Sequence, residues 1–253
     1  MKLGFSTLSL FMKPIQDMIN IGKRDGFELI ELLSEGPYIP YNLLEHEEIL
    51  NNINNKGIEL YIHGPNVDIN LASLNKGIRE ESIKQICETI DLADKLNGKA
   101  ITVHAGQVGR NDERIRKVVI DYAIESINKC IDYGKDNNKK VKISVENLPN
   151  RFNFIGNSVS ELEYIQENTG SSITIDTGHA NTCKNCREFF DLNNIIYYHI
   201  HDNDGKKDQH LVLKEGNLDL NLLKKVDNGI IELNNYENVL KTKNIIEELN
   251  LRN

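Results

Sequence analysis

Short apolar segments alternate with longer amphipathic segments along the chain. The short segments contain five to seven residues each and are rich in Ile, Val, Thr and Tyr, which favour β-strands. The sequence therefore predicts eight strands, at residues 2–7, 27–32, 58–63, 99–104, 140–146, 171–176, 195–201 and 229–233.

The segments between these strands have the spacing of amphipathic helices. In residues 77–96, for example, isoleucines recur every three to five positions and form one apolar face. Ser158 with Glu161, or Ser160 with Glu163, has the spacing of a capping box at a helix start. Helices are predicted at 14–25, 45–56, 77–96, 113–138, 158–168, 185–191, 218–226 and 236–250, with 185–191 the weakest pattern.

Strict alternation of eight strands with eight helices predicts an α/β fold with a parallel sheet. Eight such units in 253 residues match the size of a (β/α)₈ barrel, and we expect residues 1–253 to form a single domain. An open doubly wound sheet is the alternative. That fold normally has a glycine-rich turn after its first strand, and residues 7–14 contain no glycine.

Composition and charge narrow the class of partner. Hydrophobic residues make up 39% and charged residues 27%, which is typical of a soluble globular protein. The 30 basic and 38 acidic residues give a net charge of −8, which argues against binding nucleic acid by bulk charge alone. A local basic groove stays compatible with this charge.

No apolar run is long enough to span a bilayer, so we expect no membrane partner and a cytoplasmic protein. The four cysteines are too few for a disulfide scaffold. Cys87 and Cys130 lie in helical patterns and are predicted to be core thiols. Cys183 and Cys186 form a CxxC without a second pair, which is a weak indication of a metal site.

Most predicted strands end in a residue type that binds metal ions. Because the carboxyl ends of parallel barrel strands meet at one rim, these side chains should converge. Six of the seven histidines lie at strand ends or in the segments that follow them, on the same end of the predicted barrel, whereas His46 is predicted to lie on the surface. The residues are His63, His104, Glu146, Asp176, His179, His199, His201, Asp208, His210 and Glu232.

A single histidine at a strand end is more often a hydrogen-bonded polar residue than a ligand, and a single carboxylate often caps a helix. Glu31, at the end of strand 2, is open between a substrate contact and a role at the helix entry. Coincidence does not explain the full set, because carboxylates gathered at one rim repel one another unless cations bind. Mixed imidazole and carboxylate ligands favour Zn²⁺ or Mn²⁺.

Several segments resemble the xylose isomerase-like TIM barrel superfamily, which includes endonuclease IV-type apurinic/apyrimidinic endonucleases and sugar or sugar-phosphate isomerases and epimerases. The resemblance covers nearly the whole chain. The segments are HGPNVDINLAS (63–73), VHAG (103–106), ENLP (146–149), DTGHA (176–180), HIHDNDG (199–205) and DQHLVLKEGNLD (208–219).

This resemblance implies between one and three metal ions. The endonuclease pattern implies one position at His63, His104 and Glu146, a second at Asp176, His199 and Glu232 with Glu146 bridging, and a third at His179, Asp208 and His210. The isomerase and epimerase pattern implies a single ion at Glu146, Asp176, His199 and Glu232. His201 lies on the same strand face as His199, so either could be the ligand from strand 7, and we favour His199.

Two reactions are therefore candidates. In the first, a metal-dependent isomerase or epimerase acts on a sugar or sugar phosphate, and Glu146 and Glu232 exchange a proton through an enediolate. We expect Glu31, His201, Arg110 and Lys206 to bind the substrate, with Arg110, Lys206 or Lys207 available to anchor a phosphate.

In the second, an endonuclease hydrolyses the phosphodiester 5′ to an abasic site with a three-metal cluster, and nucleic acid is the partner. A third interpretation is a metal-binding barrel without catalysis. The loop SEGPYIPYN (34–42) has no basic residue and AGQVGRND (105–112) has one, which favours a small substrate over duplex DNA. Self-association into a homo-oligomer stays open.

Overall fold

Eight parallel strands close into a barrel in the computed structural model, which describes residues 1–251. Each strand pairs with its neighbours along the chain, and β8 pairs with β1. The strands are β1 (Lys2–Ser6), β2 (Leu29–Leu33), β3 (Glu59–His63), β4 (Ala100–Val103), β5 (Lys142–Glu146), β6 (Ser172–Asp176), β7 (Ile195–Ile200) and β8 (Asn228–Ile231). The predicted (β/α)₈ barrel is confirmed.

The helices lie between the strands along the chain. They are α1 (Ile15–Arg24), α2 (Pro40–Leu44), α3 (Glu47–Asn51), α4 (Lys76–Lys95), α5 (Glu113–Asp136), α6 (Val159–Thr169), α7 (Thr177–Asn181), α8 (Cys186–Phe189) and α9 (Tyr236–Glu248). Short 3₁₀ turns occur at Thr7–Leu10, Gly36–Tyr38 and Leu220–Lys225. No helix within residues 1–251 combines the length and the apolar character that crossing a membrane requires.

Two helix predictions need correction, and two short helices, α2 and α7, are not predicted. The predicted helix at 45–56 contains only α3, because the backbone of His46 is not helical (φ −116°, ψ 67°), and α2 ends before it at Leu44. The predicted helix at 218–226 is a 3₁₀ turn. Helix α7 is not predicted, because it has only five residues and begins with a Thr-Gly pair that is a poor helix former. That residues 1–253 form one domain stays a prediction, since 252–253 lie outside the described residues.

Two layers of apolar side chains hold the barrel together. The larger layer lies between the strands and the surrounding helices and includes Leu3, Phe5 and Ile62. A small cluster of five buried residues consists of Leu29, Tyr61, Ala100, Tyr197 and Ile230. Because alternate strand residues face the same side, the residues two positions beyond this inward cluster also face the interior. Those residues are all polar and lead to the carboxyl end of the barrel: Glu31, His63, Thr102, His199 and Glu232.

Candidate metal centre

Four buried side chains at the carboxyl ends of β5 to β8 converge on one point. Glu146, Asp176, His199 and Glu232 each offer a ligand atom, and these atoms all lie within 4.8 Å of one another. His199 is the central member. Its Nδ1 lies 2.8 Å from Glu146 Oε1, 3.4 Å from Glu232 Oε2 and 3.9 Å from Asp176 Oδ2. We call these four residues the central group.

A second group, formed by His63, His104 and Glu146, shares one carboxylate with the central group. Glu146 Oε2 lies 3.2 Å from His63 Nε2 and 3.0 Å from His104 Nε2, while Oε1 faces His199. His104 is half-buried and the other two are buried, so the solvent side of this group is at β4. The two oxygens of Glu146 thus face two different sets of nitrogen atoms, as a bridging ligand requires.

A third set of contacts surrounds Asp208, in the loop after β7. Its Oδ2 lies 3.2 Å from His179 Nε2 and 3.3 Å from His210 Nε2. Its Oδ1 is buried and has no hydrogen-bond partner among the described residues. A positive φ of 49° at His210 is uncommon for a residue with a side chain, and this conformation places its ring beside Asp208. The three residues that the resemblance assigned to a third position are therefore neighbours.

His201 lies among the candidate ligands, between the central group and Asp208. Its Nε2 is 3.0 Å from Asp176 Oδ1 and 3.6 Å from Asp208 Oδ1, and its ring stacks on that of His210. The ring has no exposed surface, and its expected contact with the substrate stays a prediction. A Cβ at Gly178 would lie 1.9 Å from His201 Cε1, so only glycine at 178 leaves room for this ring.

Asn147 orients the two ligands on β6 and α7, although the sequence analysis did not single it out. Its side-chain oxygen accepts from the Asp176 amide at 2.6 Å, and its side-chain nitrogen donates to the Asp176 carbonyl at 3.0 Å. Its own carbonyl lies 2.8 Å from His179 Nδ1, which leaves Nε2 of that ring free for a ligand role. Asp176 also caps α7 by accepting from the His179 amide. The available signal was the polar residue that follows Glu146 in ENLP.

Asp202 holds the loop that carries Asp208 and His210. Its buried carboxylate accepts four backbone N–H groups, from Asn203, Lys214, Gly216 and Leu218, at 2.8–3.1 Å. Donors from both ends of the loop therefore converge on one side chain. A Cβ at Gly216 would lie 2.3 Å from Asp202 Oδ1, so this close approach requires glycine.

The four residues expected to bind substrate lie at different depths. Glu31 is fully buried and contacts Tyr197 and His199, and its two expected roles stay predictions. Arg110 and Lys206 are exposed, and within residues 1–251 neither side chain forms a hydrogen bond or ion pair, so their phosphate contacts stay predictions. The predicted surface position of His46 agrees with its exposed side chain.

The cysteines are all free thiols. Cys130 is buried on α5, in agreement with its predicted core position. Cys87, on the adjacent helix α4, is half-buried. Cys183 and Cys186 belong to no potential metal-binding group among residues 1–251.

Burial and close charges shift the pKa values of the candidate ligands. Burial alone would lower the pKa of His63, but its hydrogen bond and charge interaction with Glu146 outweigh burial and raise the pKa to about 9. Burial would likewise lower the pKa of His179, but the charge of Asp176 and the hydrogen bond with Asp208 outweigh burial and raise this pKa to about 10. Burial alone would raise the pKa of Asp176, but the charges of His179 and His201 lower it to about 2. Without a cation, protonated imidazoles therefore neutralise the carboxylates.

These shifts predict how the stability of the metal-free protein depends on pH. His63 and His179 stabilise the fold below their unfolded pKa of 6.5, and this contribution is lost as pH rises through about 9–10. Asp176 contributes above its unfolded pKa of 3.8, and its contribution is lost as pH falls through about 2. We expect the thermal midpoint of chelator-treated protein to be highest between these two unfolded values and to fall toward pH 10. A midpoint that does not change from pH 6.5 to 10 would contradict this expectation.

Similarity to known proteins agrees with this fold. Residues 19–243 match the model of the xylose isomerase-like TIM barrel, and the chain belongs to that family. The resemblance found in the sequence is confirmed.

Individual relatives point to two kinds of enzyme. An uncharacterized protein of Methanocaldococcus jannaschii is 29% identical over 98% of this chain and 89% of its own length. A probable endonuclease 4 of Thermoplasma volcanium is 32% identical over 62% of this chain and 58% of its own. The crystal structure of a D-tagatose 3-epimerase-like protein superposes with a TM-score of 0.84 at 29% identity, covering 98% and 96% of the two chains.

Proposed function

We propose that this protein is a divalent-metal-dependent isomerase or epimerase of a sugar or sugar phosphate. The observation that carries the proposal is the central group, in which three carboxylates and one imidazole converge within 4.8 Å. Two of these carboxylates, Glu146 and Glu232, are the acid–base pair expected for proton exchange. Similarity to a D-tagatose 3-epimerase-like protein supports a ketose as the substrate class.

The residues fit a divalent cation. Their ligand atoms are mixed nitrogen and oxygen, as Zn²⁺ and Mn²⁺ prefer. The separations of 2.8–3.9 Å around His199 Nδ1 bracket the spacing of about 3–3.6 Å between ligands of one such ion. The central group would hold one ion, and the contacts around His63 and Asp208 offer up to two more positions. Asp208 Oδ1, buried without a hydrogen-bond partner, is the kind of atom that a cation satisfies.

Proton transfer is the step that this chain's own residues perform. A bound cation supplies Lewis acidity, which acidifies a C–H next to the substrate oxygens. Glu232 is 8% exposed and lies at the end of β8, where it can accept a proton from one face of a bound sugar. Glu146 and Glu232 both lie near His199 Nδ1, and we assign to Glu146 the return of a proton to the sugar, through an enediolate.

An exchange experiment with Glu232→Gln tests this role. We expect the metal-loaded protein to exchange the C3 or C2 proton of a ketose with deuterated solvent, as followed by NMR. Since a positioned acid or base contributes about 10²–10⁴-fold, Glu232→Gln should slow the exchange at least 100-fold at saturating metal. Glu237→Gln is the matched control, because Glu237 is exposed on α9, and it should leave the rate unchanged. Unchanged exchange in Glu232→Gln would reject the role of Glu232.

Hydrolysis at abasic sites is the second candidate, favoured by the complete set of nine ligand positions and by the similarity to a probable endonuclease 4. An assay on a duplex with one abasic site separates the two. Incision without proton exchange on any ketose would replace the isomerase proposal. Failure of purified protein to bind Zn, Mn, Fe or Co would reject both.

A further inference from the structure

Glu31 is a buried carboxylate that the proposed chemistry does not use. It lies in the middle of β2, two residues before the carboxyl end of the strand, and has no exposed surface. Its Oε1 accepts from the Tyr197 hydroxyl at 2.7 Å and lies 2.9 Å from His199 Nε2. The second contact joins residues 168 positions apart in the chain. Glu31 therefore touches a candidate metal ligand from the side opposite the central group.

The two nitrogens of His199 have separate partners. Nδ1 faces the carboxylates of the central group, the closest being Glu146 at 2.8 Å. Nε2 faces Glu31, at 2.9 Å, and forms no other hydrogen bond or ion pair with residues 1–251. A metal ion uses the lone pair of one ring nitrogen, so the proton of the neutral ring must then lie on the other. With Nδ1 as the ligand atom, Nε2–H donates to Glu31, which sets both the tautomer and the angle of the ring.

A network of hydroxyl groups holds Glu31 in this position. The Tyr197 hydroxyl bonds both Glu31 and Thr102, and Thr102 Oγ1 lies 2.8 Å from Thr174 Oγ1. Ser144 continues the network at 2.7 Å from Thr174. These residues come from four different strands, so Glu31 Oε1 is fixed by the barrel itself rather than by a loop.

The burial of Glu31 is costly for the fold. A carboxylate withdrawn from water needs hydrogen bonds to both oxygens, and Oε2 is buried with no partner among the described residues. Its neighbours in β2 are Ile30 and Leu32, and an apolar residue at 31 would avoid this cost. The contact with His199 provides a benefit that can offset this cost.

We propose that Glu31 is a positioning residue that acts through His199, holding the ring with its proton on Nε2 and strengthening Nδ1 as a ligand for a divalent cation. The inference rests on the metal binding of the proposed function and is independent of the substrate. It predicts that metal affinity falls when the charge at 31 is removed, although residue 31 itself touches no ion.

Glu31→Gln tests the inference, because it removes the charge and keeps the shape. Zinc affinity is measured by competition with a chromophoric chelator, without any substrate. We expect 10–100-fold weaker binding, the usual effect of losing an outer partner of a ligating histidine. Glu59→Gln is the control: it makes the same change in the adjacent strand β3, where Glu59 pairs with Lys2, and its affinity should equal that of the unchanged protein.

Two further measurements separate a positioning role from a structural one. Nitrogen NMR of labelled histidine should show the His199 proton on Nε2 in the zinc-loaded protein, and a mixture of tautomers in Glu31→Gln. If that variant does not fold, Tyr197→Phe removes one hydrogen bond to Glu31 Oε1 and should weaken zinc binding about 2- to 10-fold. A structural role alone would lower the thermal midpoint and leave the affinity and the tautomer unchanged.

The outcomes distinguish this inference from the proposed function. Equal zinc affinity in Glu31→Gln and the unchanged protein would overturn the positioning role and leave the proposed enzyme intact. Absence of zinc binding by the unchanged protein would overturn both. Weaker binding in Glu31→Gln, with Glu59→Gln unaffected, supports the inference whichever reaction the protein performs.

Discussion

Glu146→Gln should abolish metal binding at two groups at once. The Glu146 carboxylate lies within 2.8–3.2 Å of three imidazole nitrogens, on His63, His104 and His199. The side-chain amide of glutamine has no charge to neutralise a cation. Its nitrogen is a hydrogen-bond donor, so that end of the amide cannot coordinate a metal ion. We expect more than a 100-fold decrease in metal affinity, which exceeds the usual effect of an outer-shell change. Metal analysis after dialysis measures this directly.

The same variant should weaken the metal-free protein. There the charge of Glu146 is the partner of buried protonated imidazoles. Burial alone would raise the pKa of Glu146, but the nearby charge of His199 outweighs burial and holds this pKa well below its usual value. Breaking a buried pair by removing one member costs about 3–5 kcal/mol. Glu163→Gln is the control, since Glu163 is exposed on α6 and has no ion pair within residues 1–251. Full metal content in Glu146→Gln would show that Glu146 is not a ligand.

Asp202→Ala should release the loop that carries Asp208 and His210. The substitution leaves four backbone N–H groups without their acceptor. An unsatisfied buried donor costs about 1–3 kcal/mol, although water entering the loop will satisfy some of the four, so we expect a total of about 3–5 kcal/mol. The free energy of unfolding in urea gives the stability change.

Metal binding should change selectively in this variant. Ligand positions at Asp208 and His210 depend on the loop, whereas the central group lies on the strands and just beyond them, so the central ion should be retained. Asp204→Ala is the control in the same loop, because the exposed carboxylate of Asp204 accepts the amides of Lys206 and Lys207, which water can replace. An equal effect of both substitutions would contradict the specific role of Asp202.

The barrel is predictable because its signals are local. Each strand is a short apolar run, and the strand positions agree with the prediction to within a few residues at each end. The capping alternative at α6 is resolved by geometry, since Ser158 Oγ accepts from the Glu161 amide at 3.3 Å. Helices α2, α3 and α7 have five residues each, too short for a helical period to be recognised.

The candidate ligands are predictable for a different reason. Barrel topology brings strand ends together wherever they occur in the sequence. The residue type at each strand end is therefore sufficient to predict the candidate ligands. The contacts of Glu31 and Asp202 are not predictable in this way. Glu31 has the same sequence context as a rim residue, and only the strand register places it below His199. Asp202 accepts hydrogen bonds from backbone groups up to 16 positions away. Backbone groups are the same in every residue, so no pattern of side chains in the sequence indicates these contacts.

The four members of the central group come from four successive βα units, between positions 146 and 232. No single strand or βα unit of this chain can assemble the group, so it exists only when β5 to β8 have come together. A bound cation would connect β5, β6, β7 and β8, and these strands could separate only after the ion had left. Open states of parallel sheets expose strand edges that aggregate. Metal loading would make such states rarer, so supply of the ion would govern the solubility of this protein over time as well as its activity.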